Sequence, residues 1–372
     1  MTPKNILLIR LSSIGDVLHC TPVARTLREQ FPKAKISWLV GETSQDILHG
    51  NPYLDEIIVW QREKWEREVR KGSLLKGYQN FRLLEKILRE GEFDVAIDMH
   101  GLLLTGLIAW RSGAQMRIGF AKAKEGSPLF YTHRVQSNSP LPIVEHYLQL
   151  LQPLGVVKLL TETTMPIYQE HQDFAEQILD AHHIKKDDTI IALNPSTSWV
   201  TKCWPADYFV QLTDLLMKRL NVKVIILGAP SDMPLVDKIT NNSSEKVINL
   251  AGKTNLKELA AVIQKTNLFI GGDTGPLHIA AAVGTPTISL FGPTNPRIYA
   301  PAGVDHVAIA SKVSCRYCHS RRCKELICME EIDPLDVYQA ALQIIKRRIE
   351  NKNNMEEVAY GPVPIKKIHF PV

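Results

Sequence analysis

Apolar and polar positions along this chain follow two rhythms that keep changing places. Short apolar runs at 5–11, 35–40, Glu56–Trp60 and Val95–Asp98 have the length and β-branched content of buried strands. Between them, 16–30 and 62–90 space their apolar residues as amphipathic helices do, with Pro22 inside the first turns of the former. The second half repeats the scheme, with strands over 189–194, 223–227, 268–270 and 286–291 and helices over 206–219 and 256–265. Such alternation predicts an α/β protein with doubly wound parallel sheets, and its repetition predicts two Rossmann-like domains facing a central cleft. The proline-punctuated stretch 153–188, with one helix over 169–182, reads as the linker. An amphipathic helix over 334–350 and an extended tail with three prolines over 361–372 complete the chain.

Bulk properties narrow the class. At 372 residues the chain is long for one domain and comfortable for two. Its 45% hydrophobic and 22% charged residues are those of an ordinary soluble protein. The apolar run at Leu102-Leu103-Leu104 is broken by Thr105 and Gly106, far short of a spanning helix. Met1-Thr2-Pro3-Lys4-Asn5 leads straight into a strand without the pattern of a signal peptide, so a cytoplasmic location is expected. A net charge of +5 suits anionic ligands or a phospholipid surface. No basic stretch is interleaved with aromatics, which argues against nucleic acid as a partner.

Three turns carry candidate chemistry. Gly271-Gly272-Asp273-Thr274-Gly275-Pro276-Leu277-His278 lies between a buried strand and a short helix, where backbone N–H groups and a helix dipole favour a phosphate or diphosphate. Taken singly, Asp273 reads equally well as an N-cap and His278 as a satisfied helix residue. Ser12-Ser13-Ile14-Gly15-Asp16 follows the first strand and has too few glycines for a dinucleotide fingerprint. Asp16 stands where open α/β sheets bind ligands, yet by itself it is more simply a helix cap. The third segment, Asn194 to Pro205, offers Ser196, Thr197 and Lys202 after a buried strand, with Trp204 expected to pack and fix the lysine's direction.

In chain order the three turns, Ser12 to His19, Lys202-x-Trp204-Pro205 and Asp273 to His278, resemble glycosyltransferase family 9, the ADP-heptose:lipopolysaccharide heptosyltransferases. Leu250-Ala251-Gly252-Lys253-Thr254 and Leu290-Phe291-Gly292-Pro293-Thr294 are also similar, and the likeness runs from the first strand to about Ala341. The resemblance implies a GT-B fold, with an acceptor-binding domain over 1–165 and a donor-binding domain over 166–333. It places a helix over 334–352 back towards the N-terminal domain and an extended tail over 353–372. It implies inverting transfer of heptose from ADP-heptose to the lipopolysaccharide inner core, with no cofactor and no metal in the chemistry. Asp16 matches the general base and Lys202 the residue that stabilises the departing diphosphate. Ser196, Thr197, Asp273, Thr274, Gly275 and His278 match donor-binding positions. Asp232 stands where the family often has a longer glutamate for the ribose. The partners implied are the nucleotide sugar and the core acceptor, while a peripheral contact with the inner face of the inner membrane stays open.

Other readings stay open at this level. The same fold could serve another nucleotide sugar or acceptor, or a nucleotide-sugar epimerase or hydrolase. The basic residues between Arg62 and Arg89 read first as a solvated helical face, and a subset as acceptor contacts. Cys315, Cys318, Cys323 and Cys328 lack the spacing of the common zinc pattern. They read as free thiols of a surface loop ahead of a structural metal site.

Overall fold

The computed structural model describes residues 2–137 and 140–354; the expected tail lies outside the described residues beyond Asn354. Parallel strands form two six-stranded sheets. The first comprises β1 Asn5–Ile9, β2 Lys35–Gly41, β3 Glu56–Trp60, β4 Val95–Asp98, β5 Met116–Phe120 and β6 His133–Val135, ordered β3-β2-β1-β4-β5-β6. The second comprises β7 Ile190–Asn194, β8 Lys223–Ile226, β9 Ile248–Asn249, β10 Leu268–Gly272, β11 Thr287–Phe291 and β12 His306–Ala310, ordered β12-β11-β10-β7-β8-β9. Each half therefore has the doubly wound order in which the winding reverses once, between β1 and β4 and between β7 and β10. Ligands in such sheets bind outside the carboxyl ends of the strands at that reversal.

Parallel strands covered on both faces bury successive residues on alternate sides. Ile6 and Leu8 enter one apolar layer while Leu7 and Ile9 enter another. In the second sheet Ile190 and Ala192 oppose Ile191 and Leu193 in the same way. The inner layers of the two halves form one continuous cluster, joined through Ala175, Leu179, Leu277 and Ile279. The expected linker takes part in this: its helix Gln169–Ala181 packs on the helix Leu256–Gln264. The stretch before it is strapped to the first helix, Ile14–Gln30, through Leu160 N–H to Thr26 Oγ1 (3.1 Å) and Thr164 N–H to Thr21 Oγ1 (2.9 Å).

Two expectations are corrected. The charged stretch 62–90 is two helices, Arg62–Arg70 and Leu74–Glu90, because Gly72 turns the chain between them at φ +79°. Much of its charge is paired within the stretch, as Arg62 with Glu66 and Arg82 and Arg89 with Glu85. Among the described residues the final helix Pro334–Asn354 packs mainly on the helix Ala206–Leu220, β10 and β11, rather than on the first half. The reason is hydrophobic: Val337, Tyr338, Ala341 and Ile344 cover a face of the second sheet that would otherwise be bare.

Trp204 is fixed by this same layer. It is 3% exposed, meets Phe209 edge-on at 4.9 Å, and donates from Nε1 to Ile332 O at 2.9 Å. Trp204→Ala is expected to destabilise the protein by ~3–5 kcal/mol. Trp204→Phe, which keeps the ring but orphans the Ile332 carbonyl, should cost ~1–3 kcal/mol. Equilibrium denaturation measures both, and an alanine variant within 1 kcal/mol of wild type on the scale of that cavity cost would refute this packing role.

Candidate active site

The helix Ile14–Gln30 starts just beyond the carboxyl end of β1, with Ser13 as N-cap and Asp16 in its first turn. Asp16 Oδ2 accepts from Ser13 Oγ (2.8 Å) and Ser13 N–H (3.3 Å) and pairs with Arg10 Nη2 at 2.7 Å. Arg10 is itself held by Met99, whose carbonyl accepts from Nη1 at 2.6 Å. Among the described residues Oδ1 has only Tyr147 Oη at 3.5 Å, too long to engage it fully. The capping role thus occupies one oxygen and leaves the other without a strong partner. Burial alone would raise the Asp16 pKa, but the Arg10 charge and the Ser13 hydrogen bond hold it below the usual carboxylate value.

A second carboxylate stands on the other half, in the turn after β10. Asp273 Oδ2 accepts from Lys202 Nζ at 2.8 Å, and its backbone carbonyl accepts from the same Nζ at 3.1 Å. His278 Nε2 lies 3.4 Å from Oδ1. Against the effect of burial, His278 and Lys202 keep the Asp273 carboxyl well below its ordinary range. The indole over Lys202 belongs to Trp199, with Nζ 4.4 Å from the ring centroid. The expectation that Trp204 guides the lysine is thereby corrected, since Trp204 faces the apolar layer.

The halves meet between these carboxylates. A Cβ on Gly15 would fall 3.0 Å from His278 Cδ2, and one on Gly275 would fall 3.1 Å from Ile14 Cγ2. Beside this contact the rings of His19 and His278 pack edge-on at 4.2 Å. Burial, then the neighbouring His278, pushes the His19 pKa well below the usual value and keeps that ring neutral.

A cleft of about 1040 Å³ lies between the two sheets' carboxyl edges. Asp16, Lys202, Asp273, Thr274, Gly275 and His278 all line it. Ser196 and Thr197 are not among its wall residues; Ser198 is. The Ser196 hydroxyl donates to Asp232 Oδ1 (2.7 Å) and that of Thr197 to Trp199 O (2.6 Å). Close packing explains this, for a Cβ on Gly272 would stand 2.9 Å from Thr197 Cγ2 and 3.0 Å from Lys202 O. Gly272 therefore serves the approach of the Ser196–Lys202 segment rather than an open phosphate seat.

Sequence reasoning missed several wall residues. Arg10 was hidden as the end of an apolar run, although a charge in such a run is itself a signal of a buried partner. Lys122 and Lys124 follow β5, whose apolar pattern in Met116–Phe120 would have placed them at a strand's carboxyl end. His100 joins the wall and accepts from Leu11 N–H at 3.3 Å; burial, then Arg10 and Arg62, lower its pKa to about 3. Among the described residues, no basic side chain between Arg62 and Arg89 lines the cleft. Cys315, Cys318 and Cys323 are exposed and Cys328 is buried, all with free thiols. Among the described residues no group of three or more His, Cys, Asp or Glu is placed to hold a metal, and no helix is long and apolar enough to cross a membrane.

Comparison with known proteins gives a consistent answer. The sequence model of glycosyltransferase family 9 (heptosyltransferase) matches residues 81–328. The chain is 29% identical over 303 residues to the lipopolysaccharide core heptosyltransferase OpsX of Haemophilus influenzae, covering 80% of this chain and 82% of that one. It is 32% identical over 301 residues to lipopolysaccharide heptosyltransferase 3 of Escherichia coli K12, covering 77% and 82%. The crystal structure of a family 9 glycosyltransferase from Veillonella parvula superposes with a TM-score of 0.80 at 25% identity, over 92% of this chain and 98% of that one. The fold is GT-B, the protein is a glycosyltransferase, and the chain belongs to glycosyltransferase family 9.

Proposed function

We propose that this enzyme transfers heptose from ADP-heptose to the inner core of lipopolysaccharide, with inversion at the anomeric carbon. The observation that carries the reading is the single cleft that holds Asp16, with Oδ1 uncommitted, and the Lys202–Asp273 pair on the opposing half. The acceptor enters on the first half, where Lys122 and Lys124 present positive charge to a phosphorylated sugar. The donor lies on the second half, its diphosphate beside Lys202 and the start of the helix Gly275–Ala282. Asp16 Oδ1 accepts the proton of the acceptor hydroxyl as that oxygen attacks the anomeric carbon. The bond to the diphosphate breaks on the other side, and Lys202 offsets the charge that develops there. Ser196 and Thr197 act one step removed, by fixing Asp232 and the Trp199 backbone. The names of the relatives support heptose and lipopolysaccharide as sugar and acceptor.

Asp16→Asn is expected to lower acceptor-dependent ADP release by ~10²–10⁴-fold, the range for losing a general base. Donor binding, measured by calorimetry with ADP-heptose, should persist. Retention of a tenth or more of the activity would exclude Asp16 as the base.

Lys202→Ala should reduce kcat by ~10²–10³-fold. It also leaves Asp273 with His278 alone, so weaker ADP affinity is expected alongside. An unchanged kcat would remove Lys202 from leaving-group stabilisation.

The pH profile provides a third check. Asp16 works ionised, and its folded pKa is depressed, so the acid limb of kcat/KM should fall below an ordinary aspartate's value of about 4. Arg10→Gln removes the lowering charge and leaves the raising effect of burial, so the limb should move upward in pH. A profile that stays in place in a variant shown to be folded would contradict the pairing.

A further inference from the structure

The two ion pairs of the cleft leave a charge deficit. Arg10 is matched by Asp16, and Lys202 is matched by Asp273. A nucleoside diphosphate arriving on the second half brings more than one negative charge and gains another as its sugar leaves. Lys202 alone meets it as half of a neutral pair. The same half has one more cation on the cleft wall, Arg321, which takes part in no ion pair among the described residues. Its guanidinium carbon lies 4.5 Å from the centroid of the Trp199 ring, the same ring over which Lys202 Nζ stands at 4.4 Å. Both cations thus stand against one indole at the wall.

The backbone that carries Arg321 is fixed to the donor half at three points. Thr201 Oγ1 donates to Ser320 O at 2.9 Å, next to Lys202 on one side and to Arg321 on the other. His319 N–H donates to Pro293 O (2.9 Å) and Tyr317 N–H to Gly292 O (3.0 Å). These are residues of the cysteine-bearing segment, which the proposed chemistry otherwise leaves without a role. Its position gives it one, as the rim of the donor pocket.

We propose that Arg321 is a second diphosphate-binding residue, contacting the nucleotide's phosphate oxygens beside Lys202, with Trp199 as the platform that positions both. This rests on the reading of the second half as the donor side. Guanidinium suits the task because its planar fork can donate two hydrogen bonds to a phosphate and stack on an aromatic ring at once.

The test is calorimetric titration of the full-length protein with ADP and, separately, with adenosine. Arg321→Gln should weaken ADP binding by about tenfold or more, the scale of one charge-assisted contact, and change adenosine binding less than about twofold. Arg321→Lys should restore part of the ADP affinity, and Arg322→Gln next door should behave as wild type. In the transfer assay Arg321→Gln should raise the donor KM and leave the acceptor KM unchanged. ADP binding by Arg321→Gln equal to wild type overturns the proposal, and so does an equal loss for ADP and adenosine, which would mean a merely shaped wall. A raised acceptor KM with normal ADP affinity would assign Arg321 to an acceptor phosphate and overturn it too. Failure of the wild-type protein to bind ADP would instead remove the donor reading, and this proposal with it.

Discussion

The site depends on a contact between two glycines. Gly15 and Gly275 open the first turns of helices from opposite halves, and neither tolerates a Cβ without displacing its neighbour across the cleft. Because those turns touch, two helix N-termini arrive at one place, each at the reversal point of its own sheet. An N-terminal helix turn favours negative charge nearby. Asp16 in one turn and the diphosphate proposed beside the other are both anionic, so the same dipole argument serves the proposed base and donor. On that reading the spacing of the two turns, and with it that of base and leaving group, is set by backbone packing.

A buried Lys257 supports that spacing from a second place. It lies on the helix Leu256–Gln264 of the second half, and its Nζ donates to His49 O of the first half at 2.9 Å and to Pro166 O of the connecting segment. Burial lowers its pKa to about 8, so the ammonium persists at neutral pH with carbonyls as its partners. Carbonyl oxygens satisfy the donors without cancelling the charge, which makes this a tether whose strength rests on hydrogen bonds. Together with the continuous apolar layer, it explains why the connecting stretch is strapped along the first helix and does not hang as a free linker.

Much of this was legible from the chain because punctuation and periodicity agreed. The runs behind β1, β2, β7 and β10 are mostly apolar, as strands covered on both faces tend to be, and the turns after them are marked by glycine or charge. That placed Asp16, Lys202, Asp273 and His278 in turns at strand ends; the family resemblance then singled them out, and all line the cleft. What stayed hidden was decided by tertiary contact. Short strands such as β6 and β9 have too few residues to show a period. Lys202 has tryptophans on both sides in sequence, and only the fold selects Trp199 over Trp204. Ser196 and Thr197 looked like phosphate ligands by type, yet hydroxyls next to a tightly packed turn satisfy nearby acceptors first. The break at Gly72 could have been read, since an isolated glycine between two charged helical runs is a stop signal.

The electrostatics of Asp16 bear on where the proposed reaction meets its barrier. A carboxylate whose pKa is pushed down by Arg10 is ionised at neutral pH, but it is also a weak base. It gains little by taking a proton from an alcohol until the new glycosidic bond has made that proton acidic. Proton transfer therefore belongs late in the step, and the early part of the barrier is separation of the sugar from its diphosphate. That shifts the catalytic demand to the second half of the cleft, where the protein can stabilise developing negative charge with fixed donors. Lys202, held in place by Asp273, gives direction there, and the arrangement gains most from any further cation on the same wall. On the proposed reading, the weak base and the cations of the donor side belong together, with bond breaking leading and proton removal following.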